Sequence, residues 1–443
     1  MIGLNKNDKI EAVIETLGYK GEGIARLDRV PVFINGALPG EKVRALIILV
    51  KKDFAVGKLL EVLSPSPLRA APVCPVFGKC GGCDLQHLAY GEQLGFKKRA
   101  VEDALAKIAH IRVNADDCVP SPCEYGYRNK ISMPVRKSAK GASAGFFAYN
   151  SHRIVETDDC PLQTEKVRKL MPALRVVAER FAPYDEESGK GELRHFSVRD
   201  LGGRISLTAV VTRDVRSRII RAVKDCGADV DELWQNVNRT RGNVIMGDSS
   251  ELILGERKPY NYCGLELYVH PNGFLQVNSG VAEKLYAKVS ELASRANVDR
   301  IIDAYSGSGV LTAMLSGSAK EVIGVEIERA AVDSADELMR GNGISNVRNI
   351  CGDCADVIPR LLSEGNSEKT LIVLDPPRGG CDAKVINAVN SCGAEEVVYV
   401  SCNPSTLARD LAMLTSYNVA SVTPFDMFPQ TKHVETLVLL CRK

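Results

Sequence analysis

Cys402, Asp375 and Glu435 are the residues from which this chain of 443 residues could build covalent chemistry. Cys402 stands in VVYVSCNPSTLARDL, between an apolar run and a helix-compatible stretch, with Asn403 and Pro404 shaping the turn. A thiol at a helix N-terminus has its thiolate favoured, so a nucleophile is expected there. Asp375 in LIVLDPPRGG follows four apolar residues, and Pro376 and Pro377 stop the strand and stiffen the loop beside it. Glu435 in FDMFPQTKHVETLVLL interrupts an otherwise apolar strand, where a carboxyl group holds its proton more tightly and suits the work of a proton acceptor. Each has a plainer reading: a cysteine buried as a small hydrophobe, a turn-capping aspartate, a glutamate on a solvent-facing edge. Their shared position at strand ends, where open α/β sheets build their sites, favours chemistry.

A second constellation lies upstream. The apolar run 300–305 leads into Ser306-Gly307-Ser308-Gly309, and VLTAMLSG after it suits a helix. Glycines at such a turn let backbone approach a ligand, and the helix exposes unpaired N–H groups. Glu326 ends the next apolar strand, nineteen residues beyond Gly307, where a carboxylate can accept both hydroxyls of a ribose. Only two glycines of the dinucleotide fingerprint are present, which disfavours a nicotinamide cofactor.

The elements that must carry these residues follow from periodicity. Residues 9–62 alternate β-rich runs with glycine turns and predict a small barrel; Ser64-Pro65-Ser66-Pro67 reads as a linker. GEQLGFKKRAVEDALAKI predicts a helix, and residues 120–265 look mixed, with strand-like runs at RISLTAVV and NVIMG. From about residue 280, IIDAY, EVIGVEI, TLIVLD and EEVVYVS alternate with helix-compatible stretches, which predicts a parallel sheet covered on both faces. The expected organisation is therefore a barrel over 1–66, a mixed α+β central domain over 67–265, and a Rossmann-like α/β domain over 266–443. The start of the chain lacks a secretory pattern and no apolar run is long enough for a membrane span, so a cytoplasmic protein is expected. Its 14 cysteines then read as free thiols, catalytic groups or metal ligands. A net charge of +2 says nothing about a polyanionic partner, whereas residues 94–140 carry a local basic excess. No heptad pattern is evident, and a monomer is expected.

One reaction would use all three residues of the first constellation. Carbon 5 of uracil is a poor nucleophile; addition of the Cys402 thiolate to carbon 6 would turn the ring into an enolate whose carbon 5 can attack a sulfonium methyl group. Glu435 would then remove the carbon 5 proton and allow the thiol to leave. With these motifs in view, the chain resembles the 23S ribosomal RNA (uracil-5-)-methyltransferase family, bacterial enzymes with an N-terminal TRAM barrel. SCNPSTLARDL is similar to that family's nucleophile motif, DMFPQTKHVETLVLL to its closing motif and LDPPRGG to its substrate-side loop. The resemblance implies a class I methyltransferase fold, S-adenosylmethionine as donor, 23S ribosomal RNA as substrate, and donor contacts from Gln276, Tyr305, Glu326 and Asp353, with Asp375 beside donor and base. Transfer RNA as substrate, cytosine as target and a non-catalytic RNA-binding role are the competing readings.

Cys74-x5-Cys80-x2-Cys83, with the distant Cys160 in TDDCPLQ, supplies four thiolates that suit zinc or an iron-sulfur cluster; the spacing does not choose. The resemblance implies a 4Fe-4S cluster on these four, ahead of Cys118 or Cys123 for the fourth place. Tyr125-Gly126-Tyr127-Arg128-Asn129-Lys130 combines rings, a guanidinium and an amide suited to an extruded base and its phosphates, with Arg128 the first expected RNA contact and Phe274, beside Gln276, a wall of the base pocket. Tyr19, Phe33 and Phe54 are the barrel's few aromatics.

Overall fold

The computed structural model describes residues 4–138, 141–242, 244–364 and 369–443. At the N-terminus, β1 (Lys9–Val13), β2 (Thr16–Leu17), β3 (Gly23–Leu27), β4 (Val30–Asn35), β5 (Lys42–Val50) and β6 (Ala55–Ser64) form one sheet in the order β1-β5-β6-β4-β3-β2. Val43, Ala45 and Ile47 of β5 alternate with outward Arg44 and Leu46, as a strand with one buried face requires. The run 9–17 pairs first with β5 at one edge and then with β3 at the other, so a single segment joins both edges and closes the expected barrel. The Ser64–Pro67 stretch is tied down: the fully buried Glu41 carboxylate accepts from the amides of Leu38 and Ser66 and from Arg69 at 2.5 and 2.8 Å. Burial pushes the Glu41 pKa up, but Arg69 and the two amides outweigh it and hold it below the usual carboxylate range.

After α1 (Tyr90–Ala104) and a π-helical turn at Leu105–Ala109, the central region builds a second six-stranded sheet. Its strands are β7 (Lys130–Ser138), β8 (Gly141–Ala144), β11 (Leu193–Leu201), β12 (Arg204–Val211), β13 (Glu232–Val237) and β14 (Ser250–Gly255), ordered β14-β13-β12-β11-β7-β8. A short hairpin of β9 (Phe146–Phe147) and β10 (Ile154–Val155) follows β8. The helices α2 (Glu165–Glu179) and α3 (Arg216–Asp225) bury Val167, Leu174, Ile219 and Val223 with sheet residues Ile131, Phe196 and Leu207 in one core. The run RISLTAVV is β12, as expected. Val244–Gly247 of NVIMG is not a strand and Asn243 lies outside the described residues; the strand comes three residues later, at β14.

The C-terminal region opens with the hairpin β15 (Tyr260–Tyr262) and β16 (Leu265–Leu267) and the long α4 (Ser279–Ala296). Strands and helices then alternate: β17 (Arg300–Ala304), α5 (Val310–Leu315), β18 (Glu321–Glu326), α6 (Arg329–Gly341), β19 (Val347–Cys351), α7 (Cys354–Glu364), β20 (Thr370–Leu374), α8 (Ala383–Ser391), β21 (Glu396–Ser401), α9 (Pro404–Met413), β22 (Tyr417–Phe425) and β23 (Glu435–Arg442). The sheet order is β19-β18-β17-β20-β21-β23-β22, the class I methyltransferase arrangement. Five strands are parallel, as the alternation predicted. β23 runs antiparallel to both β21 and β22, because β22 and β23 are joined without a crossover helix. Apolar cores line both faces of this sheet.

Helix α1 packs on this C-terminal core although some 200 residues separate them: Val101, Ala104 and Leu105 sit with Ile372 and Leu407. Lys97 of α1 forms a fully buried ion pair with Asp426 and donates to the Phe428 carbonyl at 2.9 Å. Gln93 exchanges hydrogen bonds with Gln430, and Asp84 accepts from Lys432 at 2.7 Å. The loop that leads into Glu435 is thus held from outside the sheet.

Candidate active site

The tips of β17, β18 and β20 define a cleft. β17 ends at Ala304, and Tyr305 turns the chain with φ 67°, a left-handed conformation unusual for a tyrosine and of the kind that clusters at functional sites. The Ser306 amide donates to Val325, and the Gly307 amide donates at 3.0 Å to the carboxylate of Glu326, whose other oxygen accepts from Glu328 at 2.9 Å. Gly307 and Glu326 therefore meet, as expected from a glycine turn and a second-strand carboxylate. Gly309 (φ 79°) starts α5, and a Cβ there would stand 2.7 Å from that of Ala335, so only glycine fits this close approach of two helices.

The cleft is lined by Tyr305, Gly307 and Asp375 from the expected set, by Phe274, and by Asp303 and Tyr286, which sequence reasoning missed. Phe274 is 65% exposed, and its carbonyl accepts from Ser308 at 3.1 Å. Gln276 is buried two residues on, its carbonyl accepting from Asn129 and Tyr262. Asp353, like Gln276 and Glu326, is not among the residues that line the cleft. It is exposed, and its carboxylate accepts from the Ala355 amide at the start of α7, so the residue expected to contact the donor acts as a helix cap here. Asp303 is 1% exposed; one oxygen accepts from Thr312 at 2.6 Å and the other has no partner. Burial and the nearby Glu326 raise its pKa to about 7 despite the Thr312 bond, and burial and Asp303 raise Asp375 likewise to about 7.

Cys402 occupies the turn between β21 and α9. Asn403 caps α9 by accepting from the Ser405 amide at 3.1 Å, and Pro404 takes the first helical position, where its missing N–H is harmless. Asn403 and Thr406 both donate to the Arg378 carbonyl, which fixes the DPPRGG loop against the turn of Cys402. Tyr19 of the barrel reaches Asn403 at 3.5 Å. The expected lowering of the Cys402 pKa is corrected: burial and then the Glu435 and Asp375 carboxyls push it up to about 11, outweighing the Arg378 guanidinium beside it. Glu435, 2% exposed, is held well above the usual carboxylate range by burial and Asp375, against Arg378. The structure thus brings Asp375, Cys402 and Glu435 into one electrostatic unit and adds Arg378 to it.

Cys74, Cys80, Cys83 and Cys160 line one cavity of about 350 Å³ together with Arg128 and Arg378. Among the described residues, no three His, Cys, Asp or Glu side chains converge closely enough to hold a metal ion. Cys118 is buried elsewhere, beside Asp426, and Cys123 is exposed at another cavity. Arg128 donates through Nε to the Lys130 carbonyl at 3.0 Å. No helix among the described residues is long and apolar enough to cross a membrane.

Comparison with known proteins agrees with this geometry. Residues 4–60 match the TRAM domain, residues 361–443 match tRNA (Uracil-5-)-methyltransferase, and residues 298–396 match RNA cap guanine-N2 methyltransferase. The second stretch contains Asp375, Cys402 and Glu435. An RNA methyltransferase of Clostridium tetani is 38% identical over 99% of this chain and 97% of its own, and one of Halalkalibacterium halodurans is 37% identical over 99% and 98%. The crystal structure of Pyrococcus abyssi tRNA (uracil-54, C5)-methyltransferase in complex with S-adenosyl-L-homocysteine is 27% identical, covers 97% of this chain and 100% of its own, and superposes with a TM-score of 0.78. A TRAM barrel, a class I sheet with a donor cleft and full-length likeness to such relatives place the chain in the RNA (uracil-5-)-methyltransferase family, whose members use S-adenosylmethionine to methylate RNA.

Proposed function

We propose that this enzyme methylates carbon 5 of a uridine in 23S ribosomal RNA through a covalent bond between Cys402 and carbon 6. The observation that carries the reading is the grouping of Cys402, Glu435, Asp375 and Arg378 beside the donor cleft. Burial and neighbouring carboxyls raise the pKa of both Cys402 and Glu435, so each must be helped to give up its proton. Arg378 favours the thiolate, and a donor held in the cleft that Asp303 and Asp375 line would bring a positive sulfonium that favours ionised carboxylates there. Cys402 adds to carbon 6, carbon 5 takes the methyl group, Glu435 accepts the carbon 5 proton, and the Cys402 sulfur leaves by elimination. Tyr305, Gly307, Glu326 and Gln276 hold the donor; Arg128 and the exposed ring of Phe274 hold the target nucleotide, which must leave its helix to be reached. Asp353, whose neighbour Gly352 donates to the Glu326 carbonyl at 2.9 Å, is a further donor contact.

The four thiols would hold a 4Fe-4S cluster: they line one cavity, and Cys74, Cys80 and Cys160 all lie close enough to act on the Cys83 thiol. The buried Gln163 Oε1 and Ser132 Oγ line the same cavity and have no partner. The cluster would pin the 74–83 loop to the Cys160 segment and to the RNA-binding side of Arg128.

A second substrate reading is favoured by one finding. The archaeal relative whose name specifies transfer RNA matches 97% of this chain, so the alignment takes in the barrel, and the barrel does not by itself argue for ribosomal RNA. Incubation with 23S ribosomal RNA and with transfer RNA transcripts in the presence of labelled donor, followed by nucleoside analysis, tests the proposal. It predicts 5-methyluridine in the ribosomal transcript; label confined to transfer RNA would replace the substrate, and label in 5-methylcytidine would replace the reaction.

A further inference from the structure

Asp410 lies inside α9, two turns beyond Cys402, and its side chain is fully buried. One carboxylate oxygen accepts from the Tyr399 hydroxyl at 2.6 Å and from the Cys381 amide at 2.7 Å; the other accepts from Arg409 at 2.6 and 2.8 Å. Arg409 in turn donates to the Gly379 carbonyl at 2.8 Å. Gly380 (φ 80°) presses so close that a Cβ there would stand 2.5 Å from Asp410 and 2.4 Å from Arg409. The helix that begins beside the nucleophile is thereby bolted to the loop that carries Asp375 and Arg378.

The chain of hydrogen bonds continues past the loop. The Cys381 thiol donates to the Tyr399 hydroxyl at 3.6 Å, and Tyr305 packs against the core cluster that contains both Cys381 and Tyr399. Tyr305 thus packs on a relay of hydrogen bonds that runs from Cys381 through Tyr399 to the buried Asp410 carboxylate, each bond polarising the next. Tyr305 also holds a left-handed backbone that the surroundings must enforce.

We propose that Asp410 is a positioning residue that keeps the donor-side Tyr305 and the turn of Cys402 in register with one another. It touches neither substrate. The proposal rests on the reading in which Tyr305 meets the donor and Cys402 attacks the base. Two substitutions in the full chain separate its arms. Tyr399→Phe cuts the relay on which Tyr305 packs but leaves the Cys381 amide and Arg409 on Asp410, whereas Asp410→Asn disturbs both.

The test measures donor affinity by calorimetry, the rate of covalent adduct formation with 5-fluorouridine-substituted RNA, and the methylated fraction of that adduct by mass spectrometry. Tyr399→Phe should weaken donor binding about tenfold, lower the methylated fraction and leave the adduct rate at the wild-type value. Asp410→Asn should lower all three. Wild-type donor affinity and a wild-type methylated fraction in Tyr399→Phe would overturn the proposal, whatever happens to thermal stability. If Asp410→Asn does not fold, the Tyr399→Phe donor affinity still decides. If the wild type forms no adduct, the reading of Cys402 falls, and donor affinity continues to test the relay on its own.

Discussion

Replacing Lys97 by methionine isolates the physics that holds the loop leading into Glu435. Lys97 Nζ and the Asp426 carboxylate are fully buried; Lys97 pairs with Oδ1, and Oδ2 has no hydrogen-bond partner. Methionine keeps most of the volume but leaves a buried carboxylate with no cation, a loss of about 3–5 kcal/mol. For a C-terminal unit of this size each kcal/mol shifts the melting temperature by roughly 2–4 °C, so a drop of roughly 10 °C is expected. The double variant Lys97→Met with Asp426→Leu removes both charges, and replacing a buried pair by apolar groups is neutral to stabilising by about 1–4 kcal/mol. Urea unfolding of the wild type, the single variant and the double variant gives the comparison. Stability should fall and then recover. The activity should not recover, because Phe428 and the loop into Glu435 lose the Lys97 anchor in both variants. A single variant within 1 kcal/mol of wild type, or a double variant no better than the single, would refute the reasoning.

The raised pKa values of Asp303 and Asp375, both about 7, carry a sign. In the folded chain each stays protonated where the unfolded chain has ionised, so the folded state binds more protons between about pH 4 and 7 and stability falls as pH rises through that window. Asp303→Asn should flatten this dependence by up to about 3 kcal/mol between pH 5 and 8, read by chemical denaturation at each pH; an unchanged slope would show that Asp303 does not titrate there. Cys402, held at about 11, should react slowly with iodoacetamide at pH 8, faster in Glu435→Gln and more slowly in Arg378→Met; the opposite ranking would contradict the assigned electrostatics. Protein purified without oxygen should carry about four irons and four sulfides per chain, lost in Cys160→Ser, whereas one zinc and no sulfide would replace the cluster by a single ion.

What the sequence makes legible is what lies along the chain. The Gly307–Glu326 pairing is visible because a glycine turn and the tip of the next strand are adjacent in any parallel sheet. The Cys402 turn is visible because Asn403 and Pro404 are a helix start written in sequence. Properties fixed by distant residues stay hidden. Helix α1 belongs to the C-terminal core through contacts such as Lys97 with Asp426, which no periodicity announces. The antiparallel direction of β23 depends on a connection without a helix, and an apolar strand reads the same in either direction. Cys402 illustrates the limit most clearly: the local rule for a thiol at a helix N-terminus favours the thiolate, but burial and two carboxyls brought in from other strands reverse it. Asp353 carries a local role that spacing does not announce, one carboxylate oxygen accepting from the Ala355 amide at the start of α7. Asp303 escaped notice because its distinguishing feature, an oxygen without a partner, exists only in three dimensions.

The central claim is covalent attack by Cys402, and the most direct measurement mixes the enzyme, S-adenosylmethionine and 5-fluorouridine-substituted 23S ribosomal RNA, then maps the product by denaturing electrophoresis and mass spectrometry. Fluorine cannot leave as the carbon 5 proton does, so elimination should stall with the enzyme attached. The account predicts a methylated adduct on Cys402 that Cys402→Ala abolishes. An adduct on another residue, or none with folded enzyme and total cellular RNA as well, would contradict it.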